Sequence, residues 1–204
     1  HDEMVQIAMG LVGMFVVHPR APSGPRPDRD FCYMLSEWSV KVGSERPDPN
    51  EMKDFNVLTL NGKVYPATAP MVARTGQRVR LRIGNLSAMD HHPIHLHGHA
   101  FELVGTDGGE VPPGARHPET TVLVATGQTR TVEFVADNPG DWGLHCHMTH
   151  HVMTQMGHDL PNLVGVDPGL FDRKLAETVP TFAAMESGAM DPDAPDDTLP
   201  KNSL

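Results

Sequence analysis

The chain has 204 residues, 39% of them apolar, with few aromatics and 19 each of Gly and Pro, which points to one loop-rich core, β rather than helical, with extra segments. The formal net charge is −10 with no basic block, which argues against nucleic acid or an anionic membrane as partner. No apolar run reaches the length of a membrane span and no stretch reads as a secretory leader; the chain opens on His1, so upstream sequence is expected to be missing.

In chain order, residues 5–17 (VQIAMGLVGMFVV) read as a buried apolar segment ending in a strand. Residues 18–30 carry four prolines and read as a linker, so 1–17 are expected to belong to a different structural unit from the residues beyond Asp30. From Phe31 strand signals recur, at 31–40, 55–60, 77–84, 94–105, 119–125, 129–136 and 142–147. Asn61-Gly62 is a hairpin signal, and Asp107-Gly108-Gly109 and Asn138-Pro139-Gly140 punctuate later strands. About seven short strands separated by turns give an all-β fold, a β-sandwich. The stretch 149–157 reads as a short helix or loop. Residues 168–204 form a tail, with a helical signal in 169–187 and then an acidic, Pro-rich end expected to be poorly ordered.

Histidine carries the functional signal. Ten of the 13 fall in two windows, 91–99 and 145–158, and only His1, His18 and His117 lie outside. In the first window, His95, His97 and His99 would share one face of a strand, while Pro93 marks its start and lets His92 turn toward a different site. In the second, His145 and His147 share a face and Cys146 points to the other. One strand would then serve two metal sites. Cys146, His151, Met156 and His92 make a His₂Cys set with a weak thioether, the composition of a blue-copper centre. His95, His97, His145 and His147 make two His-x-His pairs on the opposite face. A zinc site built on Cys146 would leave most of these histidines without a purpose. His91, His99, His150 and His158 are expected beside the sites or at the surface. Cys32, in the apolar run Phe-Cys-Tyr-Met-Leu, reads as a buried inert thiol if Cys146 binds metal; by count alone the two cysteines would also allow a disulfide.

The motifs His92-Pro-Ile-His95-Leu-His97-Gly-His99 and His145-Cys146-His147-Met-Thr-His-His151-Val-Met-Thr-Gln-Met156 resemble those of the multicopper oxidase family, which includes laccases and bacterial copper-resistance oxidases. The resemblance covers residues 31–167, and the spacing looks most like the two-domain bacterial group. It implies a Greek-key, cupredoxin-like sandwich over 31–167. It also implies copper of types 1, 2 and 3. His92, Cys146, His151 and Met156 match type 1 ligands; His95 matches a type 2 ligand; His97, His145 and His147 match ligands of the type 3 pair. In the family a phenolic, aromatic or cuprous substrate gives electrons to type 1 copper, and dioxygen is reduced to water at the trinuclear cluster. That cluster uses eight histidines, of which two pairs are present here. Residues 1–17 resemble the end of a preceding cupredoxin domain, so an N-terminal domain holding the other pairs is an expected partner. In two-domain relatives a homotrimer shares the cluster between subunits. A periplasmic or secreted location is likewise implied. The alternative is a type 1 electron-transfer or copper-binding domain without oxidase activity in isolation. A nitrite reductase is disfavoured, because that family uses one histidine beside the cysteine. Asp90 is a candidate proton donor by position only. Met148, Met153, Met185 and Met190 hint weakly at a cuprous substrate.

Overall fold

In a computed structural model of the chain, the described residues are 2–20, 24–41, 43–53, 55–65, 67–149, 151–152, 173 and 177. The expectations for the rest of 153–204, including Met153, Met156, His158 and the tail, lie outside them, as do those for His1 and His150.

A short helix, α1 (Glu3–Ala8), is capped by Asp2, whose carboxylate accepts from the Val5 N–H. Ten strands come after it: β1 (Arg29–Trp38), β2 (Val57–Leu60), β3 (Arg78–Asn85), β4 (His92–Leu96), β5 (Phe101–Thr106), β6 (Gly109–Glu110), β7 (Pro118–Glu119), β8 (Thr121–Val124), β9 (Thr129–Val135) and β10 (Leu144–Cys146). Among the described residues they form two sheets, one of order β2-β1-β3-β9-β5-β6 with β7 beside β5, the other β10-β4-β8. Every pairing is antiparallel except β1 with β3. This is the Greek-key sandwich that the resemblance implies. No described helix is long and apolar enough to cross a membrane.

Period-two alternation builds the core. On β3, Val79, Leu81 and Ile83 are buried against Tyr33 and Leu35 of β1, Val132 of β9, and Ile94, Leu96, Val122 and Val124 of the second sheet. The intervening Arg78, Arg80 and Arg82 face the other way. Arg78 and Arg80 hold the buried carboxylate of Glu133, and Arg82 grips Asp30 through two bonds of 2.9 Å. The Asn61-Gly62 turn forms as its sequence dictates, both residues at positive φ, with Leu60 and Lys63 exchanging backbone bonds across it.

Four expectations need correction. Residues 5–17 form no strand, and apart from Ala8 they are not buried: α1 gives way to an irregular segment with Leu11, Val17 and Phe15 exposed, Phe15 at 90%. A strand needs a ladder partner, and among the described residues none pairs with 11–17. The single strand read over 94–105 is two, β4 and β5, broken where Gly98 takes a φ of +71°. Cys32 is exposed, because alternation on β1 puts Tyr33 inward and Cys32 outward; both cysteines are free thiols. Finally, β1 begins at Arg29, inside the stretch read as linker, held by its parallel register with β3.

Candidate metal centre

Strands β4 and β10 form the centre. Their antiparallel register sets His145 opposite His95, Cys146 opposite Ile94 and Leu144 opposite Leu96. Two further bonds extend the ladder, from His97 N–H to the Gly143 carbonyl at 2.9 Å and from His147 N–H to the Pro93 carbonyl at 2.7 Å. On β4, His92, Ile94 and Leu96 are buried on the core side. His92 therefore stays in the strand's own alternation. It faces away from His95 because it stands three residues before it, and no exit at Pro93 is needed.

On the core side, the ligand atoms of His92, Cys146 and His151 all lie within 4.8 Å of one another. Both imidazoles are 5% exposed, their rings 5.0 Å apart. His151 Nδ1 lies 3.4 Å from the Cys146 sulfur, and a backbone turn from Met148 brings His151 back to that position. The far nitrogens are held: His92 Nε2 by Ser87 Oγ at 2.6 Å, His151 Nε2 by an Asp90 carboxylate oxygen at 3.2 Å. Burial, with the carboxylates of Asp90 and Glu37 nearby, pushes the Cys146 thiol up. A coordinated metal reverses that balance, since it removes the thiol proton. Met156, the fourth member of this set, lies outside the described residues.

On the opposite side, His95, His97, His145 and His147 converge. Ring centroids are 4.8 Å apart for His95–His97, 5.1 Å for His97–His145, 5.2 Å for His95–His147 and 5.6 Å for His145–His147. His97 and His145 meet Nε2 to Nε2 at 2.9 Å. His95 Nδ1 is oriented by Thr121 Oγ1 at 2.8 Å, and His145 Nδ1 by the Cys146 carbonyl at 2.8 Å. Burial first, then the neighbouring imidazoles, hold His95 and His97 below the ordinary histidine value. Imidazoles this close form a ready donor set for metal.

His99 does not join them. The turn at Gly98 sends it toward Phe134 and Trp142, with its Nε2 accepting from the Asn138 N–H at 3.4 Å. His91 is exposed and bonded to Thr126. Asp90, read as a proton donor for the histidine cluster, sits on the other side, against His151. The motifs gave no signal for Ser87, Thr121, Asn138 or Trp142. Glu37 had one, an acid alone in the run MLSEWSV.

The sandwich and its two-faced His/Cys strand pair define a cupredoxin with copper-type donor chemistry. The multicopper oxidase family model matches residues 41–165, and the chain belongs to that family. Copper is the cofactor of the family, and the convergence of thiol and imidazoles on the core side fits it. Over 149 residues the chain is 45% identical to multicopper oxidase MmcO of Mycobacterium tuberculosis (strain ATCC 25618 / H37Rv), covering 72% of this chain and 26% of that protein. It is 32% identical to laccase-2 of Thanatephorus cucumeris, covering 67% of this chain and 24% of that protein. The solved blue copper oxidase from Nitrosomonas europaea superposes with a TM-score of 0.57 at 29% identity, over 81% of this chain and 55% of that one. The chain thus spans about a quarter of the length of these two curated relatives.

Proposed function

We propose that this chain is the copper-bearing C-terminal module of a laccase-like oxidase. His92, Cys146, His151 and Met156 hold type 1 copper; His95 serves type 2 copper; His97, His145 and His147 serve the type 3 pair. Copper at these sites supplies one-electron oxidation of a small phenolic, aromatic or cuprous substrate, and four-electron reduction of dioxygen to two waters. The observation that carries the reading is the alternation on β10: Cys146 faces the core beside His92 and His151, while His145 faces His95 and His97 on the other side. Cys146 is bonded through one peptide unit to each flanking histidine, so the shortest covalent route between the two sites is the backbone itself. His92 and His151, with their Nε2 atoms engaged by Ser87 and Asp90, offer Nδ1 as the donor nitrogen.

The four histidines of the outer face are half of the eight that the family's cluster uses. The remaining pairs are supplied by a preceding cupredoxin domain, shared across a homotrimer, in a periplasmic or secreted enzyme. The same count supports a second reading, in which this module alone holds type 1 copper, transfers electrons and does not reduce dioxygen. Reconstitution of the full-length protein that carries this module, with copper per chain typed by electron paramagnetic resonance and visible absorption and with dioxygen uptake measured alongside, separates them. About four coppers with dioxygen uptake supports the oxidase; one blue copper without uptake supports the electron-transfer module; no blue band sinks both.

A further inference from the structure

Glu37 belongs to β1, in the larger sheet, yet its side chain reaches the turn that precedes β4 in the other. It is 1% exposed. Its Oε1 accepts from the backbone N–H groups of Met89 and Asp90, both at 2.9 Å. Its Oε2 has no hydrogen-bond partner among the described residues and lies 3.8 Å from His92 Nε2. An acid so placed is costly, and burial pushes its carboxyl up. Two part-buried backbone donors would otherwise lack this acceptor, which accounts for one oxygen but not for a carboxylate aimed at His92.

The turn it holds carries both groups that orient the core-side histidines. Ser87 meets His92 Nε2, and Asp90 meets His151 Nε2. The turn is also anchored by Asn85, which accepts from the Ser87 N–H and donates to the carbonyls of Asp90 and Val124, by Thr126 Oγ1, which donates to the Asp90 carbonyl at 3.1 Å, and by the Leu86 N–H, which donates to the Leu35 carbonyl at 2.9 Å. Asn85 fixes the turn to the strand it leaves; among the described residues, Glu37 is the side chain of β1 that holds the N–H groups of Met89 and Asp90. Outer hydrogen bonds of this kind set ring orientation and commonly change metal affinity 10–100-fold.

We infer that Glu37 is a positioning residue for the copper site, fixing the Ser87–Asp90 turn so that one carboxylate sets the orientation of both His92 and His151. The inference rests on the type 1 reading of those histidines. It is tested with Glu37→Met, which removes the acceptor at similar length, and Glu37→Gln, which keeps an Oε1 acceptor. In the metal-free protein, Glu37→Met should speed amide exchange of Met89 and Asp90 at least about tenfold and shift the ring ¹⁵N signals of His92 and His151, with those of His95 and His97 unmoved. On loading, copper affinity should fall roughly 10- to 100-fold and the blue band and copper hyperfine splitting should change. Glu37→Gln should restore all of these readouts. If Glu37→Met leaves His92 and His151 unmoved, or if Glu37→Gln is as damaged as Glu37→Met, the inference is wrong. Should Glu37→Met not fold, Glu37→Asp, which withdraws the acceptor by one methylene, must give the same shifts in smaller measure, and their absence overturns it. A wild-type protein with no blue band sinks the copper reading instead, and the metal-free readouts tell the two failures apart.

Discussion

The indole of Trp142 lies on the bare α-carbon of Gly98, so closely that a β-carbon built on the glycine would collide with its ring carbons. Asn138 closes the arrangement. Its Nδ2 donates to the Gly98 carbonyl at 3.1 Å, and its own carbonyl accepts from Trp142 Nε1 at 2.9 Å. The turn after His97 and the loop before His145 are thereby locked together. Gly98→Ala introduces both a collision and a side chain at positive φ, and should cost about 2–4 kcal/mol. Urea denaturation of the metal-free protein measures it; a loss under about 0.5 kcal/mol, the range of an ordinary surface change, would show that the contact is slack.

Cys146→Ser should abolish the blue absorption and electron entry. The serine fits the same partly buried space, so the metal-free variant should keep its stability to within about 1 kcal/mol. A variant that stays blue would mean that the thiolate of the centre lies elsewhere.

His95→Ala should act on the opposite face alone. Type 1 absorption and resonance should persist, while the type 2 signal and dioxygen uptake of the assembled enzyme are lost. Loss of the blue band in this variant would contradict the separation of the faces.

Acid should destabilise the metal-free protein through His95 and His97. Both are held below 6.5, the ordinary value, in the folded chain. In the unfolded chain each takes up its proton near 6.5, before the folded chain does. Stability should therefore be highest above that pH, decline as pH falls through 6.5 toward the lower folded-state values, and level off below them. Denaturation midpoints from pH 8 to 5 test the sign; a midpoint that rises on acidification refutes it. Replacing both histidines with glutamine should flatten that part of the profile.

Much of this centre is legible in the sequence because it depends on local spacing. His145, Cys146 and His147 are consecutive on a strand, and alternation needs no knowledge of the rest of the fold. Strand alternation also separates His92 from His95, without the special exit expected at Pro93. What local spacing cannot carry is the break at Gly98, because it is a tertiary packing event: Trp142, 44 positions later, occupies the glycine's space. That break removes His99 from the face its spacing gave it. Alternation on β1 puts Glu37 on the inward face with Tyr33 and Leu35, but that it reaches across to the turn before β4, where Ser87 meets His92, is a tertiary contact that spacing does not announce. Residues 5–17 depart from expectation for another reason: an apolar run does not specify a ladder partner, and among the described residues none pairs with 11–17.

The short ladder between β4 and β10 has a consequence for how the protein matures. A slip of one position in this strand pair would invert it, putting Cys146 among the imidazoles and His145 into the core. Neither set of donors would then be complete. Only the native alignment gives the thiol and the imidazoles their proper company on both surfaces at once, so the arrival of the ion would act as a proofreading step, selecting the correctly threaded strand pair from its near neighbours.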